Sequence, residues 1–257
     1  MSRKRATKAA TRNNNVFELS QALINNTKAW EEGPKRKSWT KHDLRTIRPL
    51  TVAQEEMFHA YFNDFNICGH GSAGTGKSFL AIYLALLDVF DDRSKIDHII
   101  IVRSMVPTRE VGHLPGTLAE KASPYEESYH DILRELFGRA STYEDMKAAK
   151  LIEFKTSSFL RGATWNNAMI IIDEAQDMNF EEFSSIMTRT GENSRVMVLG
   201  DMKQNDLLHS RKETSGFKRA IQTIDLMSEF AVVTFTPHDI VRSSFVKSWI
   251  MASEETQ

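Results

Sequence analysis

The run "GHGSAGTGKSF" (69–79) spaces Gly71, Gly76, Lys77 and Ser78 so that backbone groups, more than side chains, would grip an anion. Glycines let successive N–H groups turn toward one point with no Cβ in the way. The spacing fits the phosphate loop G-x-x-x-x-G-K-[ST] over Gly71, Ser72, Ala73, Gly74, Thr75, Gly76, Lys77 and Ser78. In that reading Lys77 reaches the β- and γ-phosphates of a nucleoside triphosphate, and the Ser78 hydroxyl is a ligand for Mg2+. Further on, "AMIIIDEAQDMNF" ends an apolar run in two carboxylates, Asp173 and Glu174. The first is placed to hold Mg2+, the second to orient an attacking water as general base. A third apolar run, "RVMVLGD", is followed by Gln204. A glutamine there can touch both the γ-phosphate and the water, and so report whether the nucleotide is ATP or ADP.

Such residues act together only if strands deliver them to one place. The apolar runs "FNICG" (65–69), "HIIIVR" (98–103), "LIEF" (151–154), "AMIII" (168–172), "RVMVLG" (195–200) and "AVVTF" (231–235) are mostly continuous, not alternating. Strands covered on both faces read that way, which predicts a mostly parallel sheet with helices on both faces in an α/β domain. "FNICG" supplies the strand before the loop and "KSFLAIYLALLDVF" the helix after it, whose N-terminus adds N–H groups and a positive dipole to the phosphate site. Strand ends in open α/β sheets collect ligands at one edge, so Asp173 and Glu174 are expected beside the loop. Asn179 reads as the N-cap of a following helix, with Glu182 completing a capping box.

The 257 residues are 41% hydrophobic and 26% charged, an ordinary globular composition. The net charge of −1 hides an uneven distribution: residues 1–50 carry 12 Lys or Arg against 4 Asp or Glu, about +8, leaving about −9 for the rest. A basic arm, residues 1–48, therefore precedes a domain at 49–257; the arm suits an anionic partner or serves as a solubilising tail. No apolar run is long enough to span a membrane. The basic start has no apolar segment behind it, which excludes a secretory signal. Cys68, the single cysteine, cannot form an internal disulfide and reads as a small buried residue in a cytoplasmic protein.

"GSAGTGKS", "DEAQ" and "GDMKQND", in this order, resemble the phosphate loop, the metal and water motif, and the sensor motif of superfamily 1 helicases. Within that set, "VRSMVP", "VGHLPGTLAEKASPY", "FLRGAT", "MTRTG" and "DIVRSSFV" resemble the PhoH family over roughly residues 50–250. The resemblance implies a RecA-like P-loop NTPase that hydrolyses ATP with Mg2+ and acts on single-stranded RNA or DNA. It implies that Gln54, in "LTVAQ", reads adenine, and that Arg103 and Arg161 lie in regions near nucleic acid. Such helicases place ATP between two sheet domains, while this chain supplies one phosphate loop. A homo-oligomeric ring with Arg242 reaching a neighbour's ATP is the expected completion. Two alternatives stay open: an ATP-dependent binding switch without strand separation, and a small-molecule kinase, against which "DEAQ" and the later glutamine argue.

Overall fold

In the computed structural model the described residues are 39–105, 118–157, 160, 162, 164–201 and 216–255. The chain divides into two compact units, Met1–Trp39 and Thr40–Gln257, and the second holds every strand of the sheet. Most of the expected basic arm, including residues 1–38, lies outside the described residues. Of its remainder, Lys41–Asp43 form a short 3-10 turn, and the Arg45 N–H donates to Leu136 O at 2.9 Å.

Each of the six apolar runs forms a strand: β1 (Asn66–Gly71), β2 (His98–Arg103), β3 (Ile152–Thr156), β4 (Ala168–Asp173), β5 (Arg195–Gly200) and β6 (Phe230–Phe235). They make one sheet in the order β3-β2-β4-β5-β1-β6, and every pair is parallel. All six carboxyl ends therefore meet at one edge. The register sets His70 opposite Gly200, Gly71 opposite Phe235, and Arg103 opposite Asp173. β4 is buried at all six positions, as a central strand covered on both faces must be.

The helices are α1 (Val52–Phe62), α2 (Lys77–Val89), α3 (Leu118–Phe137), α4 (Thr142–Ala148), α5 (Phe180–Met187), α6 (Phe217–Ile224) and α7 (Ser244–Glu255). One core cluster joins Cys68, Ile100, Val102, Ile170, Ile172, Val196 and Val198 to Phe183 and Ile186 of α5 and to Phe217, Ala220 and Ile224 of α6. These strand residues fall two apart, so they line one face of the sheet. Helix α2 packs against β2, β4 and β5 but adds nothing to that cluster, which puts it on the opposite face. The right-handed rule agrees, because the chain steps one way along the sheet from β1 through β2 to β3 and the other way afterwards. The result is an α/β P-loop NTPase fold. The expected cap at Asn179 is present: its side chain accepts from the Glu182 N–H at 2.9 Å, and the Glu182 carboxylate accepts from the Asn179 N–H at 3.1 Å. Cys68 is fully buried, and burial pushes its thiol up to about 12.

Candidate nucleotide site

The loop after β1 needs its glycines. Gly71 has φ 122°, and a Cβ there would sit 1.9 Å from Phe235 O. Only a residue without a side chain lets β1 run this close to the end of β6 while turning into the loop. The Ser72 N–H donates to Phe235 O at 3.0 Å, and the Thr75 hydroxyl donates to Ser72 O at 3.1 Å. Ala73 and Gly74 form the half-buried crest, Gly76 caps α2 in the left-handed conformation, and Lys77 opens the helix.

Gln54 fastens the loop from outside. Its amide donates to Thr75 O at 2.9 Å and accepts from the Leu50 N–H at 2.8 Å, and the residue is 3% exposed. The residue expected to read adenine thus spends one donor and one acceptor on backbone. The Lys77 ammonium folds back over its own loop, donating to Gly71 O and Ser72 O, each at 2.8 Å, and lies 5.7 Å from the centre of the Phe235 ring. Burial lowers its pKa against the pull of Asp201, Glu174 and Asp173.

β5 stands between β1 and β4, so the loop must reach the β4 carboxylates across a strand. Ser78, in the first turn of α2, does so: its hydroxyl donates to Asp173 Oδ1 at 2.8 Å. The other oxygen, Oδ2, accepts from the Tyr129 hydroxyl at 2.8 Å. Burial, and then the Glu174 charge, raise the pKa of Asp173, while Ser78, Arg103 and Tyr129 work the other way. Beyond Asp173 the chain turns sharply: Glu174 has φ 50° and ψ 48°, a left-handed conformation that side chains rarely adopt and that clusters at functional sites. Its Oε2 accepts from Gln176 Nε2 at 2.7 Å, and Gln176 Oε1 accepts from the Asp201 N–H at 2.9 Å. Glu174 Oε1 lies 3.8 Å from Arg103 Nη2.

Among the described residues no cluster of three or more His, Cys, Asp or Glu could cage a metal. The donors present, a hydroxyl and a carboxylate 2.8 Å apart, nevertheless suit Mg2+, which takes one or two protein oxygens and fills its shell with phosphate and water. Arg103 faces Glu174 and stacks over the Tyr125 ring at 5.5 Å. Arg242 is exposed beside the loop of its own chain: the preceding Val241 N–H donates to Gly74 O at 3.1 Å, and a Cβ on Gly74 would lie 3.1 Å from Arg242 Cγ. Gln204 and Arg161 lie outside the described residues. Tyr129, Tyr125 and Gln176 were not singled out from sequence. The two tyrosines stand four apart in "SPYEESY", a helical spacing that ordinarily signals core packing.

The family model described as PhoH-like protein matches residues 46–254. A PhoH-like protein of Mycobacterium tuberculosis (strain ATCC 25618 / H37Rv) is 32% identical over 209 residues, 81% of this chain and 58% of its own length. One of Bacillus subtilis (strain 168) is 31% identical over 241 residues, 93% of this chain and 74% of its own. Protein PhoH of Escherichia coli (strain K12) is 31% identical over 215 residues, 82% of this chain and 60% of its own. The chain thus spans 58% to 60% of the length of the mycobacterial and E. coli relatives. A solved SWI2/SNF2 ATPase core of Sulfolobus solfataricus in complex with dsDNA covers 75% of this chain and 45% of its own at 13% identity, with a TM-score of 0.43. The fold assignment rests on the sheet order and the loop, not on that likeness.

Proposed function

The chain belongs to the PhoH-like protein family, and from that premise we propose that it binds ATP with Mg2+ and hydrolyses it as a superfamily 1 helicase-type ATPase, with turnover coupled to single-stranded RNA or DNA. The observation that carries this reading is the Ser78–Asp173 hydrogen bond at 2.8 Å, which joins the phosphate loop to the carboxylates of β4 across the intervening strand. Ser78 and Asp173 would hold Mg2+, which supplies charge neutralisation at the β- and γ-phosphates. Backbone N–H groups of Ala73–Ser78 and the N-terminus of α2 cradle the phosphates. Lys77 exchanges its two backbone carbonyls for phosphate oxygens. Glu174, steadied by Gln176, orients water and accepts its proton at a carboxylate oxygen. Gln204 serves as the γ-phosphate sensor, and Gln54 meets adenine with the amide proton and lone pair it has left. Arg103, Arg161 and the basic arm contribute to the nucleic-acid side.

The second wall of the ATP site comes, in this proposal, from another copy in a closed ring. Support comes from α7, which exposes Phe245 (76%) and Trp249 (68%) while its Ile250 approaches Gly74. Arg242, at the crest of the loop, is the charged group for that boundary. Mixing Arg242→Ala with Lys77→Ala chains tells whether it acts across it: turnover returns if the site is shared between copies, and stays absent if Arg242 serves its own loop.

The deciding experiment is steady-state ATP turnover with Mg2+, alone and with a panel of single-stranded RNA and DNA. A many-fold rise with nucleic acid supports the coupled ATPase. Turnover indifferent to every strand leaves an ATP-dependent binding switch, and phosphoryl transfer to a small acceptor would make the protein a kinase. Where it acts in the cell is proposed as the cytoplasm; among the described residues no helix is long and apolar enough to cross a membrane.

A further inference from the structure

Both oxygens of Glu174 already face protein donors, and the two holds differ in kind. Gln176 Nε2 is 2.7 Å from Oε2, and the far end of its amide is pinned by the Asp201 N–H. Arg103 Nη2 is 3.8 Å from Oε1, the outer limit of an ion pair. Its guanidinium rests on Tyr125 at 5.5 Å and also faces Tyr129 and the buried Asp173, and among the described residues its buried Nε has no acceptor. A carboxylate held by a cation on one oxygen and an amide on the other has its orientation fixed by protein, with neither oxygen turned freely toward a water. The loose hold is the one that a ligand can remove.

The chemistry of the remover follows from what surrounds Arg103. A guanidinium is a planar fork that binds a phosphate through two parallel N–H bonds, a closer match than a single contact at the edge of range. Tyr125 beside it presents a ring on which a base can stack once the guanidinium moves. Phosphate and unstacked base together describe a single-stranded nucleic acid, and Arg103 at 22% side-chain exposure can be reached from the carboxyl edge. The register completes the link, because Arg103 lies directly opposite Asp173, one residue before Glu174.

We propose that Arg103, stacked on Tyr125, is a positioning residue that holds Glu174 in a resting orientation, and that a phosphate of a single strand releases Glu174 by drawing the guanidinium away. The proposal rests on the reading of Glu174 as the general base. It makes nucleic-acid stimulation a loss of restraint: the strand adds nothing to the ATP site and removes a hold from it.

The test uses the full chain with Arg103→Gln, Arg103→Lys and Tyr125→Leu, and reads kcat and KM for ATP with and without poly(U). Arg103→Gln is expected to raise kcat without poly(U) by about 5-fold or more, the lower end of ordinary coupling between sites. KM should stay unchanged and poly(U) should add little. Arg103→Lys, which keeps a charge but loses the planar fork and its stacking, should raise the basal rate part of the way, as should Tyr125→Leu. A fluorescent ATP analogue should bind Glu174→Gln and the Arg103→Gln/Glu174→Gln double variant equally, which separates release of the base from any change in nucleotide affinity. A fall in basal kcat would show Arg103 assisting the chemistry, and an unchanged basal kcat without stimulation would make it a binder of the strand alone; either overturns the proposal. If Arg103→Gln fails to fold by circular dichroism, Tyr125→Leu decides by the same criteria. Failure of the functional reading looks different: no turnover by the wild type, or turnover that survives Lys77→Ala.

Discussion

Two arginines at opposite ends of the same sheet show how this chain divides its charge. Arg195 opens β5 at the amino edge. Its guanidinium lies 4.0 Å over the Tyr61 ring, pairs with Asp88 at 3.3 Å, and donates to Tyr61 O at 2.8 Å and Phe65 O at 2.7 Å. Arg103 closes β2 at the carboxyl edge with an ion pair at 3.8 Å and a ring at 5.5 Å, and with Tyr129 and Asp173 in its electrostatic reach. Both leave a buried Nε without an acceptor among the described residues, so the difference lies in the other partners: two short carbonyl bonds and an aspartate at one end, and at the other a glutamate at arm's length beside Tyr129 and Asp173. The amino edge is finished by the fold alone. The carboxyl edge gathers donors, carboxylates and a left-handed Glu174 that protein groups only partly occupy.

That contrast can be broken, and the largest blow falls on the carboxyl edge. Lys77→Ala and Glu174→Gln should each reduce ATP turnover by about 10³-fold or more, as loss of one charged participant in phosphoryl transfer does. Their ATP binding should differ: lost in Lys77→Ala, kept in Glu174→Gln. Equal loss of binding, measured by equilibrium dialysis, would make Glu174 part of the architecture and erase the distinction. At the amino edge the expectation inverts. Arg195→Ala leaves Asp88 with the Tyr61 hydroxyl but no cation and two carbonyls without their donor, and should cost about 3 kcal/mol, a fall in Tm of about 6–12 °C, with kcat per folded molecule unchanged. A lowered kcat by active-site titration would mean that the two edges are coupled.

Smaller effects sharpen the picture. Gly74→Ala forces a side chain into φ 71° with its Cβ 3.1 Å from Arg242 Cγ. It should cost about 1–2 kcal/mol and raise KM for ATP while sparing most of kcat. An unchanged KM would show that the crest of the loop takes no part in holding phosphate. Smallest at the ATP site, removal of residues 1–38 should leave basal turnover nearly intact, since every catalytic group lies later. It should flatten the dependence of log K on log salt by about 0.7 for each single-strand phosphate that the arm had neutralised. The same slope before and after truncation would return those residues to a solubilising role.

The sheet was legible because its inner strands β2, β4 and β5 are buried on both faces and spelled in nearly unbroken apolar letters. β2 matches "HIIIVR" to the residue, whereas β3 is displaced from "LIEF" to Ile152–Thr156, because at an edge the polar Lys155 fits as well as an apolar residue. Lys77, Ser78, Asp173 and Glu174 could be picked out because each stands in a motif confined to one segment, and the structure brings them to one edge of the sheet; their hold on phosphate and Mg2+ belongs to the proposal. What joins segments was not. The Tyr129 hydroxyl reaches Asp173 from a helix far back in the chain, Gln176 turns back to its neighbour Glu174, and Gln54 spends its amide on Thr75. No periodicity encodes such meetings; strand order decides them, and apolar patterning is silent about which strands are neighbours.

The backbone at Glu174 sets survival and work against each other at a single position. With φ 50°, a side chain there is disfavoured by about 1–2 kcal/mol relative to glycine. A collection of random variants sorted only for soluble, heat-resistant protein should therefore enrich Gly, and after it Asn, at position 174. The same collection sorted for ATP consumption should return Glu. Position 174 is then a place where breeding for hardiness would quietly disarm the molecule.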